Sequence, residues 1–233
     1  MPANLNMAAS GIAYTSSDTG GWQRPSGPKA PHAPLIDPAG ATAMATDYAD
    51  YPELFVRWFE LNSFTPTLRI HGRRPATAIW EYGKAAEPVL ASWLRLRHSL
   101  IPYIYSLGHA TYDNGAPFMR ALWMDFPNDP RVKTIGDQYM FGPAFLAAPV
   151  TEQGQTSRPV YLPAGTDWYD WWTGAKIAAA RRSRPRRRSI ACRCSCARAR
   201  SCRSARRCPA PPPRSGSRAS ASSRAETRCS RYT

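Results

Sequence analysis

Cysteine is absent from most of this 233-residue chain, since all six cysteines fall between Cys192 and Cys229. Residues 1–177 therefore hold no disulfide framework, which excludes the small secreted domains that depend on cross-links. A large core needs no cross-links, so the lack of cysteine does not decide between a cytosolic and an exported protein. Nowhere do roughly 18 apolar residues run together, and MPANLNMAASGIA at the start lacks a basic region with an apolar stretch. The sequence thus predicts no membrane span and shows no signal peptide.

Lysine is absent from the last part of the chain, and acidic residues are almost absent too. Residues 178–233 contain 17 of the 31 basic residues, all of them arginine, and one acid, Glu226. The formal charge of +15 therefore arises in this tail, whereas residues 1–177 are close to neutral. Dense arginine is typical of nucleic-acid-binding arms, and the CRCSC run has the close cysteines of a metal knuckle. Against both, the tail has no CxxC pair with a matching second half and one aromatic residue, Tyr232.

The composition of the tail indicates translation in the wrong reading frame. Arginine, alanine, proline, serine and cysteine are what GC-rich DNA encodes when it is read out of frame. With GC-rich codons chosen for residues 188–209, reading from one base earlier gives PLDRLPLFVRAGSIVPLGPAMP, which contains an apolar, strand-like run. We therefore predict a frameshift close to Ala179. A low-complexity tail over 178–233 is then expected to be disordered, because it cannot bury a core.

Residues 1–72 alternate between strand-like and helical patterns. GIAYTSSD is a β-prone run that ends in small polar residues, which predicts a strand ending at Asp18. Residues 19–50 are rich in glycine, proline and alanine and predict a long loop. From Glu53 the apolar residues recur at spacings of three and four, which predicts a helix. FTPTLRIHG then predicts a second strand closed by Gly72.

The pattern changes to β-sheet after one more helical region. Residues 86–111 carry one apolar face and predict a long helix that Pro102 kinks or divides. The later runs YMFGPAFLAAPV, RPVYLP and DWYDWWTG are short and β-prone, as in an antiparallel sheet. This order predicts an α/β fold class, with the end of an alternating β/α domain over 1–125 and the start of an all-β sandwich domain over 126–177.

Seven motifs follow one another along the chain: GIAYTSSDTGGW, VRWFELNSF, TPTLRIHG, LRLRHSLIPYIYSL, MRALWMDFP, DQYMFGPAFLAAPV and VYLPAGTDWYDWWTG. Together they resemble glycoside hydrolase family 31, the α-glucosidases and α-xylosidases built on a (β/α)8 TIM barrel. Ala13 and Trp22 are small departures, since proline and phenylalanine are commoner there. The resemblance implies the C-terminal portion of the barrel, its last two β/α units, followed by part of the β-sandwich domain.

The resemblance also implies a set of substrate-binding residues. Asp18 and His71 match family residues that hydrogen-bond hydroxyls of the sugar in the cleavage subsite, Arg69 supports that wall, and Trp22 supplies an aromatic face. A carboxylate accepts from vicinal hydroxyls, an imidazole N–H donates, and an indole packs on the C–H face of a sugar ring. The family's nucleophile and acid/base aspartates lie upstream of GIAYTSSDTGGW. We therefore expect no catalytic residue in this chain.

Plainer interpretations exist for the same residues. An aspartate before two glycines is commonly a turn former, and Arg69 with His71 fits a structural pair equally well. His32, His98 and His109 lack ligand-like spacing, so neither a metal nor a cofactor is predicted. Several tryptophans are expected to pack in the core or between domains: Trp58, Trp93, Trp123, Trp168, Trp171 and Trp172.

The functional expectation comes from the resemblance. It implies a fragment of a retaining exo-α-glycosidase, of the α-xylosidase or α-glucosidase type, which hydrolyses O-glycosyl bonds in carbohydrate metabolism. The expected partner is an oligosaccharide or small α-glycoside, with no specific nucleic acid and no membrane, and the oligomeric state stays open. The chain alone is expected to be inactive and poorly soluble, because a partial barrel exposes an apolar face. The alternative is a basic nucleic-acid-binding protein that acts through the arginine-rich tail.

Overall fold

The computed structural model describes residues 1–22, 51–72 and 78–179, together with the backbone of two short strands at 182–183 and 190–194. Its first part is helical, with α1 Pro2–Ala9, α2 Tyr51–Asn62, α3 Glu87–Ser99 and α4 Ile101–Asn114. A short helix α5 spans Leu122–Asp125, and 3-10 turns span Ile79–Tyr82 and Pro130–Thr134. Among the described residues, no helix is both long and apolar enough to cross a membrane.

The predicted helices are confirmed, and their ends have clear causes. In α2, Phe55 and Phe59 lie one turn apart and are almost completely buried, as the apolar spacing indicated. The long helix predicted over 86–111 is divided at Leu100, and Pro102 occupies the first turn of α4. Proline suits that position because the N–H it lacks would have no helical partner there.

In the second part of the chain, the residues that the structure describes form an antiparallel sheet of six strands. Their order is β1-β2-β3-β8-β5-β6, and a separate pair joins β4 to β7. The strands are β1 Met119–Ala121, β2 Tyr139–Phe141, β3 Phe145–Ala147, β4 Val160–Tyr161, β5 Asp167–Asp170, β6 Lys176–Ile177, β7 Arg182–Ser183 and β8 Ile190–Cys194. The strands predicted in YMFGPAFLAAPV, RPVYLP and DWYDWWTG are thus confirmed.

Alternating side chains of β2 and β3 bury both faces of this sheet. Tyr139, Phe141 and Phe145 belong to a core shared with the helices, which also contains Phe55, Phe59, Leu90 and Trp93. Met140 and Leu146 point the other way, into a second core with Trp168, Val160 and Leu162. Because successive residues of a strand face opposite sides, one hairpin connects the helical layer with the rest of the β-region.

The two strands predicted in GIAYTSSD and FTPTLRIHG are not strands in the structure. Residues 12–18 and 67–71 have no regular secondary structure and lie side by side, joined by the bond from Thr19 N–H to the Arg69 carbonyl at 3.2 Å. The Ser16 hydroxyl also donates to the Thr67 carbonyl at 2.7 Å. A strand assignment needs a ladder of backbone bonds, and here a side chain takes the place of a second main-chain donor.

Disorder was expected from residue 178 onward, and for two tail segments this is wrong. Strand β8 pairs on one side with β3 and on the other with β5, and β7 pairs with β4. A β-ladder is made by main-chain groups, so an unfavourable composition does not prevent pairing beside two existing hairpins. The other tail residues beyond Ala179 lie outside the described residues, as do residues 23–50 of the predicted loop.

One tryptophan expected in the core is exposed instead. Trp123 is 44% exposed, because the short helix α5 buries Leu122 and turns the next residue outward. Trp93, Trp168 and Trp171 are buried, and Trp58 and Trp172 are half-buried.

The turn after α2 accepts hydrogen bonds from side chains of α3 and β2. Residues 62–66 are all buried, so their carbonyl groups need partners from the protein. Arg97 of α3 donates to the carbonyls of Ser63, Thr65 and Pro66 at 3.0, 2.6 and 2.7 Å. The Tyr139 hydroxyl donates to the Phe64 carbonyl at 3.0 Å. One cation and one phenol thus fix the turn that leads to Arg69 and His71.

Burial shifts the pKa values of Arg97 and Tyr139, but both groups keep the hydrogen atoms that they donate. Desolvation lowers the pKa of Arg97 to about 10, and the guanidinium therefore stays protonated at neutral pH. Desolvation raises the pKa of Tyr139, so its hydroxyl keeps the proton that it donates. The turn is held in the same way throughout the physiological pH range.

Replacing Arg97 by Met is predicted to lower the free energy of unfolding by about 3 kcal/mol or more, because three buried carbonyls lose their donor. Arg97→Lys should recover part of that loss, since a single ammonium cannot match the guanidinium fork. Urea unfolding of the full chain followed by circular dichroism measures the change. Arg95→Met is the control, because Arg95 is exposed on the same helix; equal losses in the two Met variants would contradict the prediction.

Candidate functional site

The two adjoining segments, 12–18 and 67–71, bring Asp18 and Arg69 into an ion pair. Arg69 donates to one carboxylate oxygen of Asp18, Oδ1, from Nε at 3.0 Å and from Nη2 at 2.8 Å. The Arg69 side chain is 55% exposed and that of Asp18 is 20% exposed. Because the pair is open to water, it adds little to stability and serves mainly to orient the carboxylate.

Trp22 and His71 meet a few residues farther along the same two segments. Their ring centroids are 4.9 Å apart, and the ring planes are tilted by 57°. Trp22 remains 44% exposed, so part of its indole face is open to solvent. The bond between Thr19 and the Arg69 carbonyl lies between the two pairs and fixes their register. The structure thus brings all four predicted residues, Asp18, Trp22, Arg69 and His71, onto adjoining segments.

The main chain turns tightly after Asp18, and Gly72 of the other segment packs closely against this turn. The Gly21 N–H donates to the Asp18 carbonyl at 2.8 Å, and the Tyr51 hydroxyl donates to the Gly20 carbonyl at 3.0 Å. Gly72 lies so near this turn that a Cβ placed on it would come within 2.6 Å of the Trp22 carbonyl oxygen. Its φ of +153° also lies where side chains are rarely found. Glycine is therefore required for the contact between Trp22 and the segment that carries His71.

Helix α2 supports this cluster through contacts that the sequence patterns did not indicate. The Trp58 indole donates to the Ser17 hydroxyl at 2.8 Å, and the Asn62 amide donates to the Ser17 carbonyl at 2.8 Å. Trp58 was expected only to pack, and Asn62 was not singled out. One sequence feature could have indicated this role: Asn62 is a polar residue one helical turn after Trp58, on a helix whose neighbouring face is apolar.

The chemistry of the four residues suits binding of a polyhydroxyl ligand. A carboxylate and an imidazole hydrogen-bond hydroxyl groups, and a half-exposed indole packs on apolar C–H groups. Retaining hydrolysis needs two carboxyls about 5–5.5 Å apart, and the described part of this cluster contains one, which is paired with arginine. No group of three or more metal-ligating side chains occurs among the residues that the structure describes.

Two family models match the chain and decide its classification. The model of the glycosyl hydrolase family 31 TIM-barrel domain matches residues 1–107, and that of the family's C-terminal domain matches residues 115–195. The chain belongs to glycosyl hydrolase family 31. It is 40% identical to the α-xylosidase of Saccharolobus solfataricus over 181 residues, which are 78% of this chain and 22% of that enzyme.

Solved structures of family 31 enzymes have the same fold. A family 31 α-xylosidase from a soil metagenome, complexed with xylose, matches 84% of this chain and 30% of its own length, with 33% identity and a TM-score of 0.70. The α-xylosidase of Xanthomonas citri matches 82% of this chain and 20% of its own length, with 37% identity and a TM-score of 0.67. The chain thus spans between about a fifth and a third of the length of these relatives.

These matches confirm the resemblance to family 31 and, at that level, the fold class. The family's barrel domain and C-terminal domain are both represented, and the C-terminal match runs to residue 195, inside the predicted tail. The boundaries 1–125, 126–177 and 178–233 stay predictions, as does the frameshift. These three relatives are glycosidases, and they give no support to the nucleic-acid-binding alternative.

Replacing Gly72 by Ala is predicted to separate the Trp22 and His71 rings and to lower the free energy of unfolding by about 1–3 kcal/mol, because the new methyl group meets a main-chain oxygen and the backbone is strained. Urea unfolding and near-ultraviolet circular dichroism measure both effects. Gly136→Ala is the matched control, since a Cβ there meets nothing within 4 Å. If both variants behave alike, Gly72 does not hold the cluster together.

Proposed function

We propose that this family 31 chain forms part of the sugar-binding wall of a retaining exo-α-glycosidase that acts on α-linked xylosides or glucosides. The observation that carries the proposal is the joint position of the Asp18–Arg69 ion pair and the Trp22–His71 ring contact on two adjoining segments. Both segments lie within the part of the chain that matches the family's barrel domain. The xylose complex of a similar enzyme supports a sugar as the ligand class.

The ion pair gives Asp18 a defined role in this proposal. Both arginine donors use Oδ1, so among the described contacts Oδ2 keeps its lone pairs for ligand hydroxyls. Hydrogen bonds from hydroxyls to an ionised carboxylate are short and strong, which suits recognition of a sugar diol. Arg69 orients the acceptor and also keeps a positive charge beside it.

Trp22 and His71 complete the wall. The exposed part of the Trp22 indole offers an apolar surface for the C–H face of a pyranose ring. His71 lies against that indole and can give an N–H to another hydroxyl. Together the four residues supply one carboxylate acceptor beside a guanidinium, one imidazole donor and one apolar surface, a combination that fits a sugar better than a fully charged or fully apolar ligand.

We further propose that this chain binds sugar without hydrolysing glycosides on its own. Asp18 serves as a binding carboxylate in this proposal, because its pairing with Arg69 suits an acceptor of hydroxyl bonds. A retaining mechanism needs a nucleophile and an acid/base, and no role of that kind is assigned to a described residue of the cluster. Hydrolysis by the whole enzyme then depends on parts of the family's barrel that these segments do not include.

The full chain is predicted to bind D-xylose or D-glucose, and Asp18→Asn and His71→Ala should each weaken binding by about tenfold, as expected for the loss of a hydrogen bond to a charged or polar group. Saturation-transfer NMR and calorimetry measure the affinity. Asp113→Asn and His98→Ala are matched controls, because Asp113 is exposed on α4 and His98 is exposed on α3. Binding that is unchanged in the Asp18 and His71 variants would refute the proposed site.

A chromogenic α-xyloside or α-glucoside tests the second proposal separately. The full chain is predicted to give no turnover above that of buffer. Turnover that survives purification and disappears in Asp18→Asn would overturn the binding-only role of Asp18 and make it a candidate nucleophile.

A further inference from the structure

We infer that Trp58 and Asn62, one turn apart on α2, are positioning residues that set the direction of the Asp18 carboxylate. The inference rests on the proposed sugar-binding function of Asp18. Among the described contacts, neither residue hydrogen-bonds Asp18 itself. Both act on its neighbours in the chain, Ser17 and Thr19.

The hydrogen bonds form a small closed network. The Trp58 indole N–H donates to Ser17 Oγ at 2.8 Å, and the Ser17 hydroxyl donates onward to Asn62 Oδ1 at 3.1 Å. The Asn62 amide nitrogen donates to the Ser17 carbonyl at 2.8 Å and to Thr19 Oγ1 at 2.9 Å. The amide thus uses its oxygen and both of its N–H groups, and it holds the residue on each side of Asp18.

The direction of every bond in this network is fixed by chemistry. The indole nitrogen only donates and a carbonyl oxygen only accepts. Rotating the Asn62 amide by half a turn would bring its oxygen against the Ser17 carbonyl, where two acceptors repel. The Ser17 hydroxyl oxygen accepts a hydrogen bond from the Trp58 N–H, and its own O–H therefore donates to Asn62 Oδ1. One arrangement satisfies all the partners.

Burial makes this arrangement rigid. Asn62 is fully buried, and Thr19 is fully buried beside it. In such a low-dielectric place an unsatisfied polar group is costly, so the network opens rarely. Arg69, the direct partner of the Asp18 carboxylate, is more than half exposed and has a long flexible side chain. The rigid constraint on Asp18 thus comes from the backbone on both sides, and Arg69 selects a rotamer within it.

The test uses two variants of the full chain that each lose one indole N–H, at Trp58 of α2 and at Trp93 of the neighbouring helix α3. Trp58→Phe removes the bond to Ser17 and keeps most of the ring. Trp93→Phe removes the bond from Trp93 to Glu60 at 2.9 Å, which does not involve the neighbours of Asp18. If Trp58 has a purely structural role, the two variants should change the Asp18–Arg69 pair to a similar extent. If Trp58 positions Asp18, only Trp58→Phe should change that pair.

Two readouts separate this inference from the proposed function. The first is the ¹⁵N–¹H signal of Arg69 Nε, which reports its pairing with Asp18 without any sugar. The second is the affinity for D-xylose at a temperature at which each variant is folded. Trp58→Phe is expected to shift the Arg69 signal and to weaken xylose binding roughly threefold or more, the ratio expected for one neutral hydrogen bond. Trp93→Phe is expected to change neither.

Ser17→Ala completes the design. Because Trp58 acts through the Ser17 hydroxyl, Trp58→Phe should cause no further shift of the Arg69 signal once Ser17 is alanine. If the Arg69 signal moves in Trp58→Phe but the unmodified chain binds neither xylose nor glucose, positioning stands and the proposed sugar site fails. If the Arg69 signals of Trp58→Phe and Trp93→Phe both match that of the unmodified chain, the inference is overturned.

Discussion

The guanidinium of Arg97 is the group on which the described site depends most. It enters a buried turn as a cation without a carboxylate partner at that turn and satisfies the carbonyls of Ser63, Thr65 and Pro66 instead. A buried turn with unpaired carbonyls would cost several kcal/mol, so the turn can stay away from water only while these donors are present. The segment with Arg69 and His71 begins directly after this turn. Arg97 lies outside the proposed sugar wall, and it therefore fixes the position of that wall through the turn that precedes it.

The β-sheet contributes to the same support. Tyr139 of β2 donates to the turn, and the Tyr103 hydroxyl of α4 donates to the Phe141 carbonyl at the end of that strand. Earlier in α2, Glu53 accepts the Gly154 N–H and Arg57 donates to the Gln155 carbonyl. The regions that match the family's barrel domain and C-terminal domain are thus joined by hydrogen bonds within α2 and just after its end. A sheet that only packed against the barrel would not direct the turn in this way.

The sequence was most informative where a local pattern decides the structure. The spacing of Phe55 and Phe59 predicted α2, and Pro102 predicted the break between α3 and α4, because both depend on nearby residues. The segments at 12–18 and 67–71 share too few main-chain bonds to count as strands, and strand β8 forms beside partners far away in the chain. The four site residues could be named from ordered motifs alone. Asn62 and Arg97 could not, because the carbonyls that accept their hydrogen bonds lie more than 30 residues away in the sequence and meet them only after the chain has folded.

The most direct test of this account is contact between a sugar and the four-residue wall in solution. Intermolecular nuclear Overhauser effects from D-xylose to the ring protons of Trp22 and His71, measured on the full chain, report that contact without depending on catalysis. The account predicts effects to both rings from the same sugar molecule, since the rings lie 4.9 Å apart. Effects confined to other aromatic residues, or none at saturating sugar, would contradict it.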